Sequence, residues 1–106
     1  MTLEDELLNQ INVKIFIYSE TEFKNFVSMY CSDCLGGDYT PYDNIQYGYS
    51  PENSKHYALG RFLLPENNYR VKVECEGFKS KNKMYTINQD QEIYFDASEI
   101  NIPIEE

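Results

Sequence analysis

The sequence predicts a single α+β domain: a four- to five-stranded, mainly antiparallel sheet packed against one principal helix, with a short N-terminal helix. Three observations carry that reading. The run "NVKIFIYS" is β-branched and aromatic, "SETEFKNFVSMYC" sets apolar residues at helical spacing, and strand-like segments separated by turn residues follow position 55. At 106 residues the chain can bury one modest core, so residues 1–106 are read as one domain.

The elements follow in order. In "TLEDELL", Thr2 and Asp5 stand at capping-box spacing and Leu3, Leu7 and Leu8 share a stripe, which predicts a first helix of about two turns. In the next run Val13, Ile15 and Ile17 take one face and Phe16 and Tyr18 the other, as expected of a central strand covered on both sides. Ser19 and Glu22 form a second capping box, and Phe23, Phe26, Val27 and Tyr30 recur at i, i+3, i+4 and i+7, which predicts the principal helix. Gly36 and Gly37 suit its C-terminal end. From Asp38 to Ser54 prolines, glycine and Asx residues break any period, so this segment reads as a long loop with room for one short strand. An antiparallel meander is then predicted: "KHYALGRFLL", the turn "PENN", "YRVKVECEGF", the turn "KSKNK", "MYTIN", and "EIYFDA". The acidic tail 98–106, with Pro103, is expected to be an edge segment or disordered.

The segment "YCSDCLGGD" is the candidate for chemistry. Two thiols at CxxC spacing, followed by glycines that permit a sharp turn, resemble half of a zinc knuckle. Only Cys75 and the sole histidine, His56, could complete a set, so the candidate structural zinc site is Cys31, Cys34, His56 and Cys75. In a hairpin pairing 55–64 with 69–76, His56 and Cys75 would lie side by side. Buried inert thiols account for the same residues, since Cys75 alternates with Val71 and Val73 on the expected core face. Thiol redox chemistry is the third alternative, opposed by a pair that follows a helix instead of preceding one. Glu74 and Glu76 share a strand face and could serve as acid and base, although a solvated face looks the same. With one histidine and no recognised nucleophile, phosphate or dinucleotide motif, no enzyme is expected.

Charge supplies the second signal. The chain carries 18 acidic against nine basic residues, a net of −9, which disfavours direct nucleic-acid binding and anionic membranes and favours a basic partner. No apolar run nears the roughly 18 residues of a membrane span, and "MTLEDELLNQ" lacks the basic start of a secretion signal, so a cytoplasmic protein is expected. Residues 25 to 54 contain no base, four acids and five tyrosines. Tyrosines amid negative charge suit docking on a basic protein surface, and Asp38, Tyr39, Tyr42, Asp43, Tyr49 and Glu52 are the candidate contacts. A merely solubilising surface has the same composition.

In size, acidity and its richness in lysine, asparagine and tyrosine, the chain resembles the small phage-encoded inhibitors of the anti-CRISPR type. That resemblance implies a non-enzymatic inhibitor in the host bacterial cytoplasm. Such a protein would block nucleic-acid loading by occupying a basic surface of an effector nuclease. A second resemblance covers residues 55–97: "ALGRFLLPENNYRVKVECEGFKS" is similar to the G-x-F…P-x-x-Y-x-V-x-V…G-F cadence of carboxypeptidase regulatory-like, prealbumin-type domains. It implies a β-sandwich accessory module of a larger surface protein. The Pro65 to Asn68 turn and the helical pattern of the first half depart from that family.

Overall fold

The computed structural model describes residues 10–104, and it is built almost wholly from strands. In chain order these are β1 (Gln10–Ser19), β2 (Ser28–Ser32), β3 (Asp38–Tyr39), β4 (Gln46–Ser50), β5 (Lys55–Pro65), β6 (Asn67–Cys75), β7 (Phe78–Lys79), β8 (Lys83–Ile87), β9 (Gln91–Asp96) and β10 (Ile102–Pro103). The first sheet has the order β4-β5-β1-β9; the second has β10-β7-β6-β2-β3, with β8 also paired to β6. All pairs are antiparallel except β1 with β9. One core joins the sheets face to face: Val13, Ile15, Ile17, Phe62, Leu64 and Phe95 from the first, Met29, Cys31, Tyr69, Val71, Val73 and Ile87 from the second.

The expected α+β architecture is therefore corrected to an all-β one. Among the described residues the sole helical element is a single 3-10 turn, Ala97–Glu99; the short N-terminal helix falls outside them. Where the principal helix was expected, the chain forms a loop followed by β2. Its helical period coexists with a second one: Val27, Met29 and Cys31 alternate, and all three are buried against the core. A helix of this length gains little on its own, whereas β2 pairs with β6 over five residues from Ser28 to Ser32. Ser19 caps nothing; its hydroxyl accepts from Thr21 N at 3.2 Å, a local turn two residues on. Gly36 and Gly37 likewise end no helix. They close the β2–β3 hairpin around Asp33, whose Oδ1 accepts from Leu35 N at 2.9 Å and Gly37 N at 2.7 Å, with Gly36 at φ +87°.

The meander is corrected too. Its strands form where the alternation places them, but "PENN" is no hairpin. Between Pro65 and Asn67 the chain crosses from one sheet to the other, and the Tyr69 hydroxyl donates to Pro65 O at 2.6 Å across that corner. β6 turns back at Glu76 and Gly77 into β7, and β7 and β8 lie along the same side of β6. Between them the register slips by one residue, a bulge filled by buried Ser80: its N donates to Val73 O at 2.8 Å and its Oγ accepts from Val73 N at 3.0 Å. The tail contributes β10, which pairs with β7 through Ile102 and Pro103.

Candidate aromatic groove

Val13, Ile15 and Ile17 take the core side of β1, so Lys14, Phe16 and Tyr18 face outward. β1 is central as expected, between β5 and β9, and among the described residues no second sheet lies on that outer face. Register places Tyr18 opposite Tyr57 of β5 and Phe16 opposite Tyr94 of β9. The Phe16 and Tyr94 rings lie 5.2 Å apart and 13° from parallel, Tyr18 and Tyr94 6.1 Å apart, and Tyr57 meets Phe16 edge-on at 6.3 Å. Cross-strand aromatic pairs of this kind contribute about 0.5–1.5 kcal/mol each beyond their buried area. The second sheet's outer face is different in kind, with Arg70, Lys72 and Glu74 on β6 and a Lys72–Glu74 ion pair at 3.0 Å.

Where β1 ends at Ser19, the aromatic surface leads into a groove of about 500 Å3. The loop after β1 contributes Glu22 to Phe26, β4 contributes Tyr47 to Tyr49, and β5 contributes His56 and Tyr57. The loop is tied down by two bonds in addition to its Ser19 turn. Val27 N donates to the Tyr47 hydroxyl at 2.9 Å, and Lys24 N donates to Glu76 Oε1 at 2.6 Å. Phe23 packs on Tyr47 at 6.2 Å, and Tyr49 meets His56 edge to face at 5.0 Å. Gly48 is needed here: a Cβ on it would lie 2.5 Å from the Tyr57 hydroxyl, so only glycine lets that ring lie across β4. Phe26 is 90% exposed and Tyr49 52%, large apolar surface of the kind that marks a binding site.

The residues singled out from the sequence scatter over this frame. Cys31 is 1% exposed in the core, Cys34 is exposed in the β2–β3 turn, His56 lines the groove, and Cys75 ends β6 in the other sheet. The expected side-by-side placement of His56 and Cys75 fails because β5 and β6 belong to different sheets. Among the described residues no group of three or more His, Cys, Asp or Glu is arranged to hold a metal ion. Of the contact candidates, Tyr49 lines the groove and Glu52 is exposed in the turn that follows β4. Asp38 and Tyr39 lie on the second sheet's edge, where Asp38 Oδ1 accepts from Ser32 Oγ at 2.6 Å and Tyr39 stands edge-on to Tyr69 at 5.6 Å. Tyr42 and Asp43 are exposed farther along β5, with Tyr42 N bonded to Arg61 O at 3.0 Å. Phe23, Phe26, Tyr47 and Tyr57 are groove residues that sequence reasoning missed. The helical period placed the first two on a helix face; the signal for Tyr47 was the "YGY" triplet, tyrosines flanking a glycine at an edge, and no local pattern marked Tyr57.

The two carboxylates named as a candidate acid and base are not brought together. Glu74 and Glu76 do not share a strand face: Glu74 pairs with Lys72, while Glu76 sits in the β6–β7 turn and holds Lys24 N. Burial pushes the Cys31 thiol up to about 12 and, with Glu76 adding to burial, Cys75 up to about 11. A thiol reagent at pH 8 should therefore label Cys34 within minutes and Cys31 and Cys75 only on unfolding; rapid labelling of all three would contradict this packing. The same shifts make stability fall on the alkaline side. An unfolded thiol ionises near 9 while Cys31 keeps its proton to about 12, so the native state loses ground as pH rises through that window. Among the described residues no helix is long and apolar enough to cross a membrane.

No family model matches this chain, and no curated protein or solved structure does either.

Proposed function

We propose that this chain is a non-enzymatic inhibitor that docks on a positively charged surface of a larger nucleic-acid-handling protein, an effector nuclease, and blocks nucleic-acid loading there. The observation that carries the reading is the groove itself: aromatic rings from the loop after β1, the β4 edge and β5, with Phe26, Tyr47 and Tyr49 drawn from residues 25–54, a stretch without a base. Aromatic anchors supply contact area at low entropic cost, and the net charge of −9 speeds encounter with a basic surface. Three of the nine basic residues are engaged in ion pairs: Lys55 with Asp96 at 3.3 Å, Lys72 with Glu74 at 3.0 Å, and Lys83 with Glu99 at 3.8 Å.

DNA cleavage by purified RNA-guided nucleases, titrated with this protein, tests the reading. At least one enzyme should be inhibited stoichiometrically, with an inhibition constant that weakens roughly tenfold or more between 50 and 300 mM salt. Inhibition that ignores salt, or none across the panel, would reject it. A second reading, the β-sandwich accessory module, is favoured by one observation: the first half of the chain is strand where a helix would have excluded that fold. It predicts a stable domain that inhibits no nuclease.

A further inference from the structure

Resting on that reading of the groove, we propose that it is a cation-binding slot that receives an arginine side chain of the partner protein. Three properties converge on this ligand. Its walls are aromatic, with Tyr49, Tyr57 and Phe26 alongside His56, and an aromatic face attracts a cation through its quadrupole. Its charged surroundings are acidic on balance. Glu22 lines it, and Glu76 reaches the loop through Lys24 N. Among the described residues the lining holds one acid, Glu22, and one base, Lys24, and the Glu76 carboxylate at the Lys24 backbone adds a second negative charge beside it. Its volume of about 500 Å3 admits a long side chain but is ample for a compact ammonium. Arginine fits better than lysine because its guanidinium is planar, stacks on rings and gives up its hydration more readily.

The site is also prepared in advance. Gly48 lets Tyr57 lie across β4, and the two bonds that fix Val27 and Lys24 hold the loop at its distance from Tyr47 and Tyr49. An incoming guanidinium then finds rings already placed, so little ordering cost is left for binding.

N-acetyl-arginine amide, titrated into the labelled protein and followed through its amide resonances, tests the proposal against the neutral isostere N-acetyl-citrulline amide. Saturable shifts are expected at residues 22–26, 47–49 and 56–57, with citrulline weaker by about tenfold. Tyr49→Ala should abolish saturation, Glu22→Gln should weaken it about threefold, and Lys24→Gln should strengthen it. Because Tyr49 and Phe26 are exposed, Phe26→Ala serves as a second variant that leaves the fold intact. Equal binding of citrulline, or shifts spread over acidic residues and indifferent to Tyr49→Ala, would overturn the proposal. If the probe enters the groove but no nuclease is inhibited, the slot stands and the proposed partner falls. If a nuclease is inhibited and the probe finds no groove, the partner stands and the slot falls.

Discussion

Phe62→Ala lowers the unfolding free energy by about 3–5 kcal/mol, a large share of what a domain of this size commands. Phe62 is 1% exposed on the core side of β5, opposite Val13 of β1 in the register and within the cluster that joins the sheets. Neighbours on two sheets cannot both close on the vacated ring, so most of its volume persists as a cavity and the loss exceeds simple transfer. Urea denaturation followed by far-ultraviolet dichroism measures it. A midpoint close to that of the parent would mean that the two sheets do not share this core. A substitution of similar size on the open face, such as Tyr94→Ala, provides the contrast: Tyr94 is exposed and should cost about 1 kcal/mol through its ring contacts with Phe16 and Tyr18.

The second large effect is expected on binding with stability nearly unchanged. If the proposed nuclease partner is found, the double variant Phe26→Ala, Tyr49→Ala should lose at least about a hundredfold in affinity for it, since exposed aromatic anchors at the centre of an interface each contribute about 2 kcal/mol. Its melting temperature should stay close to that of the parent, because neither ring belongs to the core cluster. Isothermal titration against the nuclease, alongside a thermal melt, separates the two quantities. Full affinity in the double variant would move the interface elsewhere, to the Phe16, Tyr18 and Tyr94 face or to the Asp38 edge. A Gly48→Leu variant approaches the groove from the other side. By forcing the Tyr57 ring off β4, it should reshape the groove without removing any aromatic side chain.

The candidate site was legible only in part. Tyr49 was visible as an exposed tyrosine in an acidic stretch, and His56 was visible as a candidate metal ligand, whereas it lines the groove. The CxxC pair drew attention because thiols at that spacing can hold zinc. Here the strand period sends Cys31 into the core, while Cys34 stands in a turn organised by Asp33. Phe23 and Phe26 were hidden by a helical period that the chain does not use, and no local pattern reports that Gly48 leaves room for Tyr57.

The sequence by itself determined where most strands form, in β1, β5, β6, β8 and β9, because alternation of buried and exposed side chains is a property of neighbouring residues. It also determined the acidic character, a net charge of −9. Only the tertiary structure decided which strands pair, that the chain changes sheets at Pro65, and that residues 19–32 become loop and strand. Pairing is settled between segments far apart in the chain: β1 finds β9 across more than 70 residues, and β2 is held as a strand by β6. Burial of Met29 and Cys31 against the other sheet outweighs a helical preference worth a few tenths of a kcal/mol per residue. The groove is a product of that same long-range packing, which brings a loop, an edge strand and its neighbour to one place.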